Sequence, residues 1–137
     1  MKYIILILSM LVITSNIMAA STSAEGAKVY IISPQNGAVL YNPITIKFGL
    51  KGMGVAPAGT DKANTGHHHL LIDITDLPSL EEPIPADQQH RHFGGGQTET
   101  ALTMEPGQHT LQLLLGDKNH IAHDEPVLSE KITIFVE

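Results

Sequence analysis

The residues best able to do chemistry in this 137-residue chain are its eight histidines, six of which fall in three close pairs. His67 and His69 stand two apart, as do His90 and His92, while His120 and His123 stand three apart. On a strand, side chains two apart share a face, so a His-X-His pair can turn two imidazoles toward one ion at about 2.0–2.1 Å per bond. A third or fourth nitrogen must then arrive from another element. Imidazole ligation without thiolate favours copper(II), zinc or nickel, and the chain has no Cys. The ligand pool is His67, His69, His92, His120 and His123, and the cofactor to expect is a copper or zinc ion. Each histidine also has a plainer use. His68 falls on the other face of its strand with Leu70, Ile72 and Ile74, and is expected to be a hydrogen-bonded core residue. His109 is expected in a structural corner, and His90, in a Pro-punctuated segment, is the weakest ligand. Met53 and Met104 could serve copper(I) but read first as packing residues.

Those side chains must be positioned by strands. Ile44-Thr-Ile-Lys-Phe-Gly-Leu50 alternates strictly, with Ile44, Ile46, Phe48 and Leu50 on one face, the pattern of a half-buried strand. The stretch from His109 to Leu115 alternates in the same way, and Leu128 to Val136 closes the chain with Ile132, Ile134 and Val136 inward. Shorter β-type runs occur at 29–32, 67–74 and 97–104, separated by turn signals such as Ser-Pro-Gln-Asn-Gly at 33–37 and Glu-Pro-Gly at 105–107. No segment holds a helical period over ten residues. This predicts an all-β fold, an immunoglobulin-like antiparallel β-sandwich of about seven strands. In such a sandwich the connections before the third, fifth and seventh strands gather at one end. His67/His69, His90/His92 and His120/His123 would then meet there, unless a further strand within residues 76–96 moves His90 and His92 to the opposite end.

The chain starts with a positive Lys2, an apolar stretch and a small-residue close at Ala19, Ala20 and Ser21, the pattern of a secretory signal. Residues 1–20 are assigned as a signal peptide cut near Ala20, 21–27 as a flexible leader and 28–137 as one domain. Export of the mature chain is therefore expected. Loss of the signal removes one of the eight basic residues and none of the 14 acidic ones, so the mature net charge is about −7. Nucleic acid is excluded as a partner, since binding it depends on Lys and Arg against phosphate, and no membrane span is expected in the mature protein. Without Cys, thiol catalysis is excluded, and Ser33, Ser79 and Ser129 lack a nucleophile-elbow setting. Gly94-Gly-Gly96 lacks the Lys and helix of a phosphate loop.

Four stretches together resemble one family of small exported bacterial proteins, the domain of unknown function 4399. They are Gly66-His-His-His-Leu-Leu-Ile-Asp73, His92-Phe-Gly-Gly-Gly-Gln-Thr-Glu99, Pro106-Gly-Gln-His-Thr-Leu-Gln-Leu113 and Gly116-Asp-Lys-Asn-His-Ile-Ala-His123. The resemblance runs from about Val29 to Val136. It implies an exported domain whose hallmark residues include His67, His68, His69, His92, His109, His120 and His123, with His90 outside the set and no activity attached. The function expected first is a metal carrier or buffer that exchanges its ion with a periplasmic protein partner. A metal-dependent enzyme with an open coordination position is the alternative, and an adhesion or assembly domain without metal is the third reading.

Overall fold

A computed structural model describes residues 18–137; the part of the signal assignment on residues 1–17 lies outside it. Nine strands are present among the described residues: β1 (Lys28–Ser33), β2 (Val39–Leu40), β3 (Ile44–Lys51), β4 (Gly54–Val55), β5 (Thr65–Ile72), β6 (His90–His92), β7 (Glu99–Leu102), β8 (Gly107–Gly116) and β9 (Ile132–Val136). β1, β3 and β7 form one antiparallel sheet in the order β1-β3-β7. The larger sheet runs β2-β9-β8-β5-β4, with β6 also on β5. The two-residue edge strands β2 and β4 pair in parallel, and the other pairs are antiparallel. The two sheets enclose a core, so the all-β sandwich expectation holds, and seven of its strands have three residues or more.

The alternation in the sequence explains that core. Ile44, Ile46 and Phe48 of β3 face Leu70 and Ile72 of β5, Leu111, Leu113 and Leu115 of β8, and Ile134 and Val136 of β9. Each such side chain contributes about 1.5–3 kcal/mol when fully buried. Leu50 and Ile132 pack at the margin of the same cluster.

One feature departs from a two-layer sandwich. β5 is buried continuously from Gly66 to Ile72, as central strands are when both faces are covered. On its outer face Leu71 joins Leu114 of β8 in a second apolar cluster, roofed by Ile74, Ile84 and Ala122. The roof comes from the long connections β5–β6 and β8–β9. Ile74 was expected inside with Leu70 and Ile72. Asp73 adopts φ 54°, which ends the strand and breaks its alternation, and Ile74 turns to the outer cluster instead.

The last strand begins at Ile132, later than expected; Leu128 makes only an isolated bridge to Leu114. Near the other terminus, Thr22 bridges Asp124, and the Ser23 amide donates to the Asp124 carbonyl at 3.2 Å. The leader segment 21–27 is thus tied to the β8–β9 connection at its first residues.

Candidate metal centre

β5 pairs with β8 such that His67 lies opposite Gly116 and His69 opposite Leu114. On its other side β5 pairs with β6, which sets His92 directly opposite His69. His67, His69 and His92 therefore share the outer face of the large sheet. His120 reaches the same place from the β8–β9 connection, where its backbone takes φ 65°, an uncommon conformation for a residue with a β-carbon. One ring nitrogen from each of His67, His69, His92 and His120 lies within 4.8 Å of the others.

The three pairs meet in part: His92 joins His67 and His69 by lateral pairing of β6 with β5, and His120 joins them from the β8–β9 connection. A further strand does occur within 76–96. It is β6 itself, and being hydrogen-bonded to β5 it carries His92 toward His69.

Glycines make the room. A β-carbon at Gly94 would strike the His92 ring, and one at Gly116 would strike the His69 ring and approach Ile84. The Gly94-Gly-Gly96 run, which gave no phosphate loop, thus has a packing reason at its first residue. His120 is steered by Asp117: its amide donates to the Asp117 carbonyl at 2.9 Å. The amides on either side, Asn119 and Ile121, donate to Asp117 Oδ1 at 2.8 and 3.1 Å.

His67 Nε2 is 3.2 Å from His92 Nε2 and also 3.2 Å from His120 Nδ1. A neutral ring nitrogen has one role, either a proton to donate or one lone pair, so His67 Nε2 can satisfy only one of these neighbours by hydrogen bonding. His69 is worse off, since among the described residues both of its buried ring nitrogens lack any partner. A cation among the four would take every inward lone pair. Four nitrogens at zinc–imidazole bond lengths have edges of about 3.3 Å, close to the two contacts seen.

The electrostatics favour lone pairs over protons. Burial first, then His92 and His120, push His67 down to about 4, against an upward pull from Asp117. Burial, with His67, His92 and His120 behind it, takes His69 to about 3. His92 is lowered by burial and by His120. These imidazoles are neutral near pH 7, the form that binds metal.

The other histidines are elsewhere. His123 is buried outside the cluster, with Nε2 3.2 Å from the Thr65 carbonyl and Nδ1 unpartnered. Between it and His120, Ile121 and Ala122 pair with Pro83 and Gly116. That extended backbone turns residues three apart to opposite sides. His90 pairs with Asp87 at 2.9 Å. His68 is fully buried in the core against Phe48, ring centroids 5.2 Å apart, and burial lowers it to about 4. Among the described residues neither of its ring nitrogens has a partner, which differs from the expected hydrogen-bonded core histidine. His109 does hold a corner. Its Nδ1 is 2.6 Å from Asp73 Oδ2 and its Nε2 2.8 Å from the Glu105 carbonyl.

Asp117 was not singled out from sequence. Its signal was its place in Gly116-Asp-Lys-Asn-His120, an Asx-type turn pattern just before a candidate ligand.

A family model described as domain of unknown function (DUF4399) matches residues 46–137, a span that contains all eight histidines. No curated protein and no solved structure matches the chain.

Proposed function

The chain belongs to the domain of unknown function 4399 family, and we propose that it is an exported metal-binding module. In this reading His67, His69, His92 and His120 hold one copper(II) or zinc ion, as a carrier or buffer in the periplasm. The observation that carries it is the set of four converging imidazoles in which His69 has no hydrogen-bond partner and His67 Nε2 faces two ring nitrogens at once. Buried polar groups are ordinarily satisfied, and a dication would take one ring nitrogen from each of the four.

The residues divide the work. His67 and His69 are fixed on a strand covered on both faces and give a rigid half of the site. His92 is exposed and His120 half-buried, so a partner protein that takes or delivers the ion would approach past them. Ligand exchange through those two would move the ion without unfolding β5. Four protein ligands leave no open position on a tetrahedral zinc, which favours holding over catalysis. The clefts beside His123 and beside His109 have none of the four histidines in their linings. Export is supported by Lys2, the apolar stretch after it and the small residues 19–21.

Titration of the metal-free protein with zinc and with copper(II), followed by calorimetry, tests this reading. One equivalent should bind, and the His67→Ala/His69→Ala double variant should bind none. No stoichiometric binding at micromolar metal would overturn it.

A further inference from the structure

Asp117 is 1% exposed, yet among the described residues no Lys, Arg or His is in ion-pair contact with it. Its sequence neighbour Lys118 is engaged with Asp61 at 2.7 Å. The Asp117 carboxylate instead collects hydrogen bonds. Oδ1 accepts from the Asn119 and Ile121 amides, while Oδ2 accepts from the Ser21 amide and the Ser21 hydroxyl, each at 3.0 Å. Burial opposes the charge on Asp117, but these donors outweigh it and hold the carboxyl below its usual range. A buried carboxylate kept ionised without a cation is uncommon. The atom beside it is the nitrogen of the first residue after the small pair Ala19-Ala20.

We infer that the bond cut on export is Ala20–Ser21, and that the α-ammonium freed at Ser21 becomes the counter-ion of buried Asp117 and locks the loop presenting His120. This rests on the export reading above and not on metal binding. In the cut, a signal peptidase adds water across the amide: Ala20 leaves as a carboxylate and the Ser21 nitrogen ends as an ammonium. A hydrogen bond from a neutral amide is thereby replaced by a charge-assisted one. The neighbouring bonds do not serve. A cut after Ala19 places the ammonium one residue away, about 3.8 Å along the chain. A cut after Ala24 discards Ser21 and Ser23, which removes both donors to Oδ2 and the ties of Ser23 to the Asp124 and Glu125 carbonyls. Ala20 also supplies the small side chain that such peptidases require before the cut. The lock reaches the metal centre because Asp117 brackets His120, holding the amides before and after it by Oδ1 and its own amide by the main-chain carbonyl.

The full chain, expressed with its own N-terminus in a bacterial host, is purified from the periplasm and its first residue read by intact mass and N-terminal sequencing. Ser21 is the expected start. A start at Ala20, Glu25 or any other residue overturns the inference and leaves export standing, whereas a full-length chain retained in the cytoplasm overturns both. Hydrogen exchange is then compared between chains beginning at Ser21 and at Ala20. The Asn119 and Ile121 amides should exchange about tenfold more slowly in the Ser21 form, and Asp117→Asn should abolish the difference. Equal rates in the two chains would overturn the lock.

Discussion

Two groups of histidines in this molecule have their proton affinities shifted in opposite directions. At one end of β5, His67 and His69 are buried against other imidazoles and are neutral, and among the described residues neither ring nitrogen of His69 has a partner. Past the other end, His109 lies between the Asp73 carboxylate and the Glu105 carbonyl. Two acceptors require two N–H donors, and only the imidazolium has two. Burial works against that charge, but the Asp73 hydrogen bond and the Glu105 carbonyl outweigh it, and His109 is raised above its ordinary value. The same residue type thus offers lone pairs where it faces its own kind and holds its protons more tightly where it faces oxygen. Burial, with the neighbouring imidazoles behind it, lowers the first group, whereas the oxygen acceptors around His109 overcome burial there.

The largest expected effect separates the two groups by metal affinity. His69→Ala should weaken zinc binding by at least about 100-fold, beyond what loss of an outer hydrogen-bond partner costs at metal sites. His109→Ala should leave affinity within about threefold, as expected of a distant, independent site. Comparable losses in both variants, measured by competition with a chelator of known affinity, would dissolve the distinction.

Next comes pH. The metal-free protein should lose stability as pH falls from about 6.5 to about 4, because the unfolded chain binds protons that His67, His68 and His69 refuse when folded. The His109 contribution has the opposite sign. Its folded value is raised, so its stabilisation is complete below about 6.5 and is lost as pH rises through the folded value. Denaturant melts across pH should show both limbs. One equivalent of zinc should move only the acid limb, to lower pH, since ligated nitrogens cannot protonate. An acid limb untouched by zinc would count against the site.

Smaller effects probe the corner and the core. His109→Ala should cost about 1–2 kcal/mol of folding stability, reduced by solvent screening at the half-exposed Asp73. His68→Leu should raise stability by about 1 kcal/mol, since an apolar side chain replaces a buried ring whose two nitrogens have no partner. Chemical denaturation reads both changes. A loss of metal affinity in His68→Leu would place that residue in the site after all.

The sequence disclosed these features unevenly. Period-two alternation marks β3, β8 and β9 directly, because their apolar residues face one core. It also separates His68 from His67 and His69, which the structure bears out. What alternation does not reveal is the second apolar layer, since Leu71 and Leu114 are buried by connections with no period of their own. Nor does it show that Asp73 turns the chain and sends Ile74 to the outer cluster. His92 joins His69 through the register of a three-residue strand, a long-range pairing that local composition leaves open. His120 and His123 looked equivalent as a loop pair. Their separation depends on the extended backbone at Ile121 and Ala122, which exists only because Pro83 and Gly116 pair with it.

X-ray absorption at the metal edge, on protein loaded with one equivalent of zinc, tests the four-histidine centre most directly. Four nitrogen neighbours at about 2.0 Å with the outer scattering of imidazole rings are expected, falling to three in His69→Ala and unchanged in His109→Ala. A first shell of oxygen, or one with two imidazoles or fewer, would contradict it.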